Sequence, residues 1–265
     1  MPTMKVKDIG MYYEIHGEKN GEPLVLIAVL GSDLSGWAMQ IPEFSKKYKV
    51  IAFDNRDVGR TSKTNISYTI DTMAEDTYNL LDRLGVKKAH ILGGSMGGMI
   101  AQAFAVNYPE MVRSLILCAT TSRWFKGLTI LTIWKELNKT IPLELFIEES
   151  LVWNLSRKTL EDNDFVKMTI EQLAKYPYIQ PTEAFIRQCN AIEKFDATDR
   201  LKEIKAPTLV LVGDEDILIP VRCSEELAAK IPKAELKVLP GCGHVLNFEN
   251  AKEFNETILK FLEKH

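Results

Sequence analysis

The sequence predicts an α/β protein, with a mostly parallel sheet, helices on both faces and a helical insertion. Three observations carry this. Short apolar runs alternate with amphipathic stretches of helix length. The word Gly93-Gly94-Ser95-Met96-Gly97 lies between an apolar run and a helical pattern. Residues 121–206 break the alternation, with helical patterns and no clear strand.

Each element follows from its local pattern. Lys5–Gly17 alternates through Val6, Ile9, Tyr12, Glu14 and His16, which predicts a hairpin turning at about Asp8–Gly10. Pro23–Leu30 is nearly continuously apolar, as a strand buried on both faces should be, and Val50–Phe53 is another such run. Asp71–Leu84 places Met73, Thr77, Leu80, Leu81 and Leu84 on one helical stripe, with Asp71 as its N-cap. Ala89–Leu92 is a strand and Met99–Tyr108 a helix. Val112–Cys118 and Thr208–Val212 are strands, Val221–Ile231 is a helix opened by Pro220, Leu236–Leu239 is a strand, and Glu253–Leu262 is a closing helix. The sheet then has eight strands.

The insertion carries helical patterns at Ile130–Leu137, Leu143–Leu151, Thr169–Leu173 and Glu183–Ile192, and three of the chain's four tryptophans. It is expected to be a helical cap (121–206) folded over the C-terminal edge of a core formed by 1–120 and 207–265, the edge at which such sheets bind ligands.

Composition narrows the function. The chain has 265 residues, 46% of them hydrophobic, and a net charge of −3 without a basic tract, so neither nucleic acid nor an anionic membrane is an expected partner. No apolar run approaches the ~18–20 residues that span a bilayer. Met1–Lys5 lacks the basic-then-apolar pattern of a secretory signal. Cys118, Cys189, Cys223 and Cys242 form no C-x-x-C pair and read as reduced thiols of a cytoplasmic protein.

The Gly93–Gly97 word carries the chemistry. Where a strand turns sharply into a helix, a serine is held in strained geometry with its hydroxyl exposed. Free N–H groups at the helix start then face any negative charge that forms beside it. Such a hydroxyl needs a base. Of the four histidines, His265 is terminal, His16 lies in the hairpin and His90 starts the strand leading to Ser95, at the opposite end of the sheet. His244 follows Leu236–Leu239 in the Gly-rich loop Pro240–His244 and emerges at the same edge as Ser95. The base in turn needs a carboxylate to fix its tautomer. Gly213-Asp214-Glu215-Asp216 offers three. Asp216, deeper in the loop, has the greater freedom to reach across, and Asp54 and Asp57 are further alternatives.

These segments, with Phe53-Asp54-Asn55-Arg56-Asp57-Val58-Gly59-Arg60-Thr61-Ser62, resemble the α/β-hydrolase superfamily. The likeness is to its small, capped, cofactor-independent esterases, enol-lactonases and perhydrolase-like enzymes, and it covers nearly the whole chain, the cap least. It implies an α/β-hydrolase fold, a catalytic triad of Ser95, Asp216 and His244, and no metal or organic cofactor. Asp216 is the final Asp of the family's Gly-x-x-Asp loop. Asp54–Ser62 is implied to be structural.

The resemblance also implies an oxyanion hole built from the backbone N–H groups of Met96 and Leu30. Relatives carry glycine before the second donor, whereas this chain has Val29. A β-branched residue there resists positive φ and crowds the reacting centre. Either Leu30 still donates into a narrower pocket, or the hole is distorted, or the change redirects the chemistry. An apolar pocket is expected from Val29, Trp124, Phe125, Trp134, Ile219 and Val245, with Arg123 or Lys126 available to pair with a substrate carboxylate. The expected function is serine hydrolysis of a small-molecule carboxylic ester or lactone. The alternatives are acyl transfer to peroxide or another acceptor, and a ligand-binding receptor with a vestigial triad.

Overall fold

The computed structural model describes residues 3–125 and 129–265. The strands are β1 (Thr3–Val6), β2 (Ile9–His16), β3 (Pro23–Ile27), β4 (Lys49–Phe53), β5 (Ala89–Gly94), β6 (Val112–Cys118), β7 (Thr208–Gly213) and β8 (Ala234–Leu239). They form one sheet in the order β1-β2-β4-β3-β5-β6-β7-β8. β2 runs antiparallel to β1 and β4, and every other pairing is parallel.

The helices are α1 (Ile41–Phe44), α2 (Ile70–Arg83), α3 (Met96–Asn107), α4 (Ile130–Thr140), α5 (Leu143–Asn154), α6 (Arg157–Leu160), α7 (Asn163–Ala174), α8 (Thr182–Glu193), α9 (Val221–Lys230), α10 (Leu246–Glu249) and α11 (Ala251–Leu262). Strand periodicity explains why both faces are covered. Val25 and Ile27 of β3 join the apolar cluster that holds Met73 and Leu80 of α2, Ile100 and Phe104 of α3 and Leu227 of α9. Leu24 and Leu26 join the opposite cluster, with Phe44 of α1 and Phe254 and Ile258 of α11. Among the described residues no helix is long and apolar enough to cross a membrane.

Several boundaries differ from the sequence expectation for local reasons. β3 stops at Ile27 rather than Leu30, because Ala28–Leu30 leave the sheet to reach a turn at Gly31 (φ 74°). Thr69, not Asp71, caps α2: its side chain accepts the Thr72 N–H, and Thr72 returns a bond to the Thr69 N–H. Asp71 instead accepts from Asn107 Nδ2 (2.9 Å). α3 starts at Met96 because Ser95 is itself its N-cap.

Between β6 and β7 the chain makes its helical excursion, α4 to α8, and α6 is a turn that no sequence pattern marked. The two ends of the excursion meet where Ala197 N–H donates to Ser122 O (2.8 Å) and the backbones of Arg123 and Asp196 form an isolated antiparallel β-bridge. Ile130, Leu131 and Trp134 of α4 and Phe185 and Ile192 of α8 are continuous with the core beneath. α5 and α7 pack around the smaller cluster of Ile147, Leu151 and Leu155.

His90 is wholly buried, with Nδ1 2.8 Å from Ser114 Oγ, and burial pushes its imidazole down to about 4. An unfolded histidine titrates near 6.5, so the folded chain binds a proton less readily between those values. His90 thus contributes stability that is full above pH 6.5 and is lost as pH falls towards 4. Urea melts across this range should show a shallower acid limb for His90→Gln. An unchanged limb would remove His90 from the acid response.

Candidate active site

Ser95 sits between β5 and α3 with φ 50° and ψ −117°, a region that non-glycine residues avoid. The strain is held from several sides. Ser95 N–H donates to Cys118 O (2.8 Å), and Ser95 O accepts from Gly98 N–H (2.9 Å) and Thr120 Oγ1 (2.7 Å). The flanking glycines are sterically required: a Cβ at Gly93 would lie 2.2 Å from Gly97 O, and one at Gly97 would lie 2.2 Å from Ile27 O. The result is an N–H at Met96, the first residue of α3, with no intrahelical acceptor.

His244 and Asp216 meet from separate loops. His244 Nδ1 lies 2.8 Å from Asp216 Oδ2, and both side chains are buried. Asp216 Oδ1 accepts from Leu218 N–H (3.0 Å) and Ile219 N–H (2.8 Å), so the carboxylate is aimed before it meets the imidazole. The neighbouring acids are occupied elsewhere: Asp214 accepts from Gly241 N–H (2.6 Å) and Glu215 from Arg157 N–H (2.9 Å). Asp54 is engaged by Leu34 N–H (3.0 Å) and Arg60 N–H (2.7 Å), and Asp57 by Arg187 Nε (2.6 Å). Burial raises the Asp54 carboxyl, while its bonds to Arg60 and Leu34 oppose that rise. Ser95 and His244 line the same cavity without a hydrogen bond between Oγ and Nε2 among the described residues. Such bonds often tighten only when substrate is bound.

The loop after β3 is a turn in which Ser32 N–H donates to Val29 O (3.3 Å) and Gly31 occupies the positive-φ third position. That is the pattern of a type II turn, which demands glycine at 31 rather than at 29. Val29 is outside the positive-φ region, so its β-branch costs no backbone strain. Gly31 N–H is taken by Gln188 Oε1 (3.2 Å) and Ser32 N–H by Val29 O, which leaves the Leu30 N–H of this turn without an acceptor among the described residues.

Two cavities of about 330 and 340 Å³ meet at Val29, Ser32, Ser95, Asn154 and His244. Leu30, Met96, Trp124, Trp134, Phe146 and Phe185 line the first, and Trp37, Cys118, Val245, Leu246 and Phe248 line the second. A sequence model of the α/β hydrolase fold matches residues 22–251. The chain belongs to the α/β-hydrolase family. Within that family it is 30% identical to a Caulobacter segnis protein named, provisionally, as the carbamate hydrolase RutD, over 96% of this chain and 97% of that one. It superimposes on the enol-lactonase of Burkholderia xenovorans LB400 with a TM-score of 0.90, at 28% identity, covering 99% of this chain and 100% of that one. A malate-bound thermophilic esterase from Thermogutta terrifontis gives 0.88 at 26% identity, covering 100% and 99%.

Within this α/β-hydrolase site the predicted pocket residues divide. Val29, Trp124, Trp134 and Val245 line one cavity or the other. Phe125 does not: it packs against the main core cluster, with the Arg222 guanidinium 5.7 Å from its ring. Ile219 is wholly buried and serves through its N–H on Asp216, while the adjacent Leu218 takes the lining position. Arg123 is exposed at the neck of the cap, and Lys126 lies outside the described residues. Cys242 is buried, and burial pushes its thiol up to about 11, as suits a loop filler.

Sequence reasoning missed Gln188, whose single letter carries no motif, and Tyr176, whose hydroxyl reaches Asp33 Oδ2 (2.6 Å) beside the turn. No periodicity could have marked either. Val29 narrows the junction: a Cβ at Gly94 would already lie 3.2 Å from Val29 Cγ1. Val29→Gly should therefore shift the preference among p-nitrophenyl esters towards bulkier acyl groups. A profile unchanged across acyl lengths would remove Val29 from selection.

Proposed function

We propose that this hydrolase cleaves a carboxylic ester or lactone through an acyl-enzyme on Ser95. Ser95 Oγ attacks the carbonyl carbon while His244 Nε2 takes its proton. Asp216, on Nδ1, holds the tautomer and stabilises the imidazolium. The N–H groups of Leu30 and Met96 receive the oxyanion. The C–O bond to the leaving group breaks as His244 returns the proton to that oxygen. Water, deprotonated by His244, then attacks the acyl carbon and Ser95 leaves with the proton. In a lactone both fragments remain one hydroxy acid.

The observation that carries this reading is the aimed Asp216–His244 pair at 2.8 Å on the same cavity as a serine held at positive φ. The cavity supports the substrate class. Both chambers are lined mainly by aliphatic and aromatic side chains. Among the described lining residues Asp33 is the only charged one, and it is bound by Tyr176. A neutral substrate with an apolar group on each side of the scissile bond fits this lining. Among the described lining residues no cationic side chain faces the cavities to pair with an anionic substrate.

A fluorophosphonate probe should label the protein once, at Ser95, and Ser95→Ala should abolish both labelling and p-nitrophenyl butyrate hydrolysis. Labelling at another residue, or equal hydrolysis by Ser95→Ala, would overturn the assignment.

A further inference from the structure

We propose that Gln188, on cap helix α8, is a positioning residue for the oxyanion loop. By this reading it holds the central peptide of the Val29–Ser32 turn so that the Leu30 N–H stays directed at the reacting carbonyl. The inference rests on the acyl-enzyme reading above and adds to it a part for the cap.

Gln188 is wholly buried, and both ends of its amide are used. Oε1 accepts from Gly31 N–H (3.2 Å), and Nε2 donates to Arg56 O (3.0 Å). Reversing the amide would set NH2 against N–H and carbonyl against carbonyl, so these partners fix its orientation. The Arg56 end is rigid. The Arg56 guanidinium is buried against Asp76, with Nε 2.6 Å from Oδ2 and Nη2 2.8 Å from Oδ1, and it also reaches Asp8 (3.1 Å). The adjacent Asn55 Nδ2 donates to Ala28 O (3.1 Å), pinning the end of β3 from the core.

Leu30 thus lies between two anchors, Ala28 held by the core and Gly31 held by the cap. A glycine at the third position lets a turn exchange its central peptide between orientations at little steric cost. The Gly31 N–H belongs to that central peptide, and Gln188 is its acceptor. Losing the bond frees the peptide to rotate and leaves Leu30 with one anchor. Two further cap contacts grip the strip beside Arg56: Gln180 Nε2 on Asp57 O (3.1 Å) and Arg187 Nε on Asp57 Oδ2 (2.6 Å). Seating the cap and shaping the oxyanion hole are therefore one event.

Gln188→Met keeps the length of the side chain and removes both hydrogen bonds. With p-nitrophenyl butyrate, kcat should fall about tenfold to 10²-fold while KM stays within about twofold, since the lost interaction belongs to the transition state. Ser122→Ala is the control: it removes a hydrogen bond at the neck of the cap, between Ser122 Oγ and Thr198 Oγ1 (3.2 Å), from residues that line neither cavity, and should lower the melting temperature without that loss of kcat. A wild-type kcat in Gln188→Met, or an equal fall in Ser122→Ala, would overturn the proposal.

Should Gln188→Met not fold, amide exchange in the wild-type chain decides. Gly31 N–H should exchange as slowly as the α8 amides around Gln188. Rapid exchange at Gly31 while α8 stays protected overturns the clamp. Fluorophosphonate labelling of the wild type away from Ser95 would instead sink the acyl-enzyme reading, a result read independently of the exchange.

Discussion

Asp216→Asn should lower kcat by about 10⁴-fold while leaving KM and the melting temperature nearly unchanged. The asparagine carbonyl can still accept the Leu218 and Ile219 N–H groups that Oδ1 accepts now at 3.0 and 2.8 Å, so the loop keeps its shape. Its NH2 group would then face His244 Nδ1, where Asp216 Oδ2 lies at 2.8 Å. A donor there forces the proton onto Nε2, and the imidazole can no longer take one from Ser95. Steady-state kinetics with p-nitrophenyl butyrate test this directly. A fall smaller than about tenfold would take the carboxylate role away from Asp216. Asp214 and Glu215 are poor replacements, being committed to Gly241 N–H and Arg157 N–H.

Gly97→Ala should destabilise the fold by more than about 4 kcal/mol, a cost that few single substitutions reach. Its Cβ would lie 2.2 Å from Ile27 O and 2.7 Å from Ala28 O. Both are backbone atoms at the end of β3 and the start of the loop that follows it, so relief requires β3 to move rather than a side chain to turn. Gly21→Ala is the matched comparison. It has open space and no positive φ, and it should leave a urea melt unchanged. A Gly97→Ala melt within about 1 kcal/mol of wild type would show that α3 and β3 are not packed as closely as described.

Much of this architecture was legible one segment at a time. The N-terminal hairpin follows from alternation, and the central strands follow from short apolar runs, because a strand covered on both faces buries nearly every side chain. The elbow follows from its glycines, two of which, Gly93 and Gly97, answer a backbone contact that no Cβ could survive. Boundaries were less legible, because capping is a contest between neighbours. Thr69 displaced Asp71 since Thr69 and Thr72 satisfy each other's N–H groups.

The pocket was harder to read. Phe125 and Ile219 are apolar residues in the right stretches, yet Phe125 packs on the core cluster and Ile219 turns inward beneath Asp216. Adjacent positions point in different directions, and composition does not say which.

The order of strands and helices, the strained serine and the histidine loop were decided within short windows of the chain, because periodicity and turn chemistry act over a few residues. The partner chosen by His244 among three consecutive acids was decided only in three dimensions, by Leu218 and Ile219 N–H groups that aim Asp216 across to an imidazole 28 positions away. Gln188 reaches Gly31 across 157 positions, and its role exists only once α8 lies over the sheet. A side chain's work depends on which distant atom it meets, and that meeting is a property of packing.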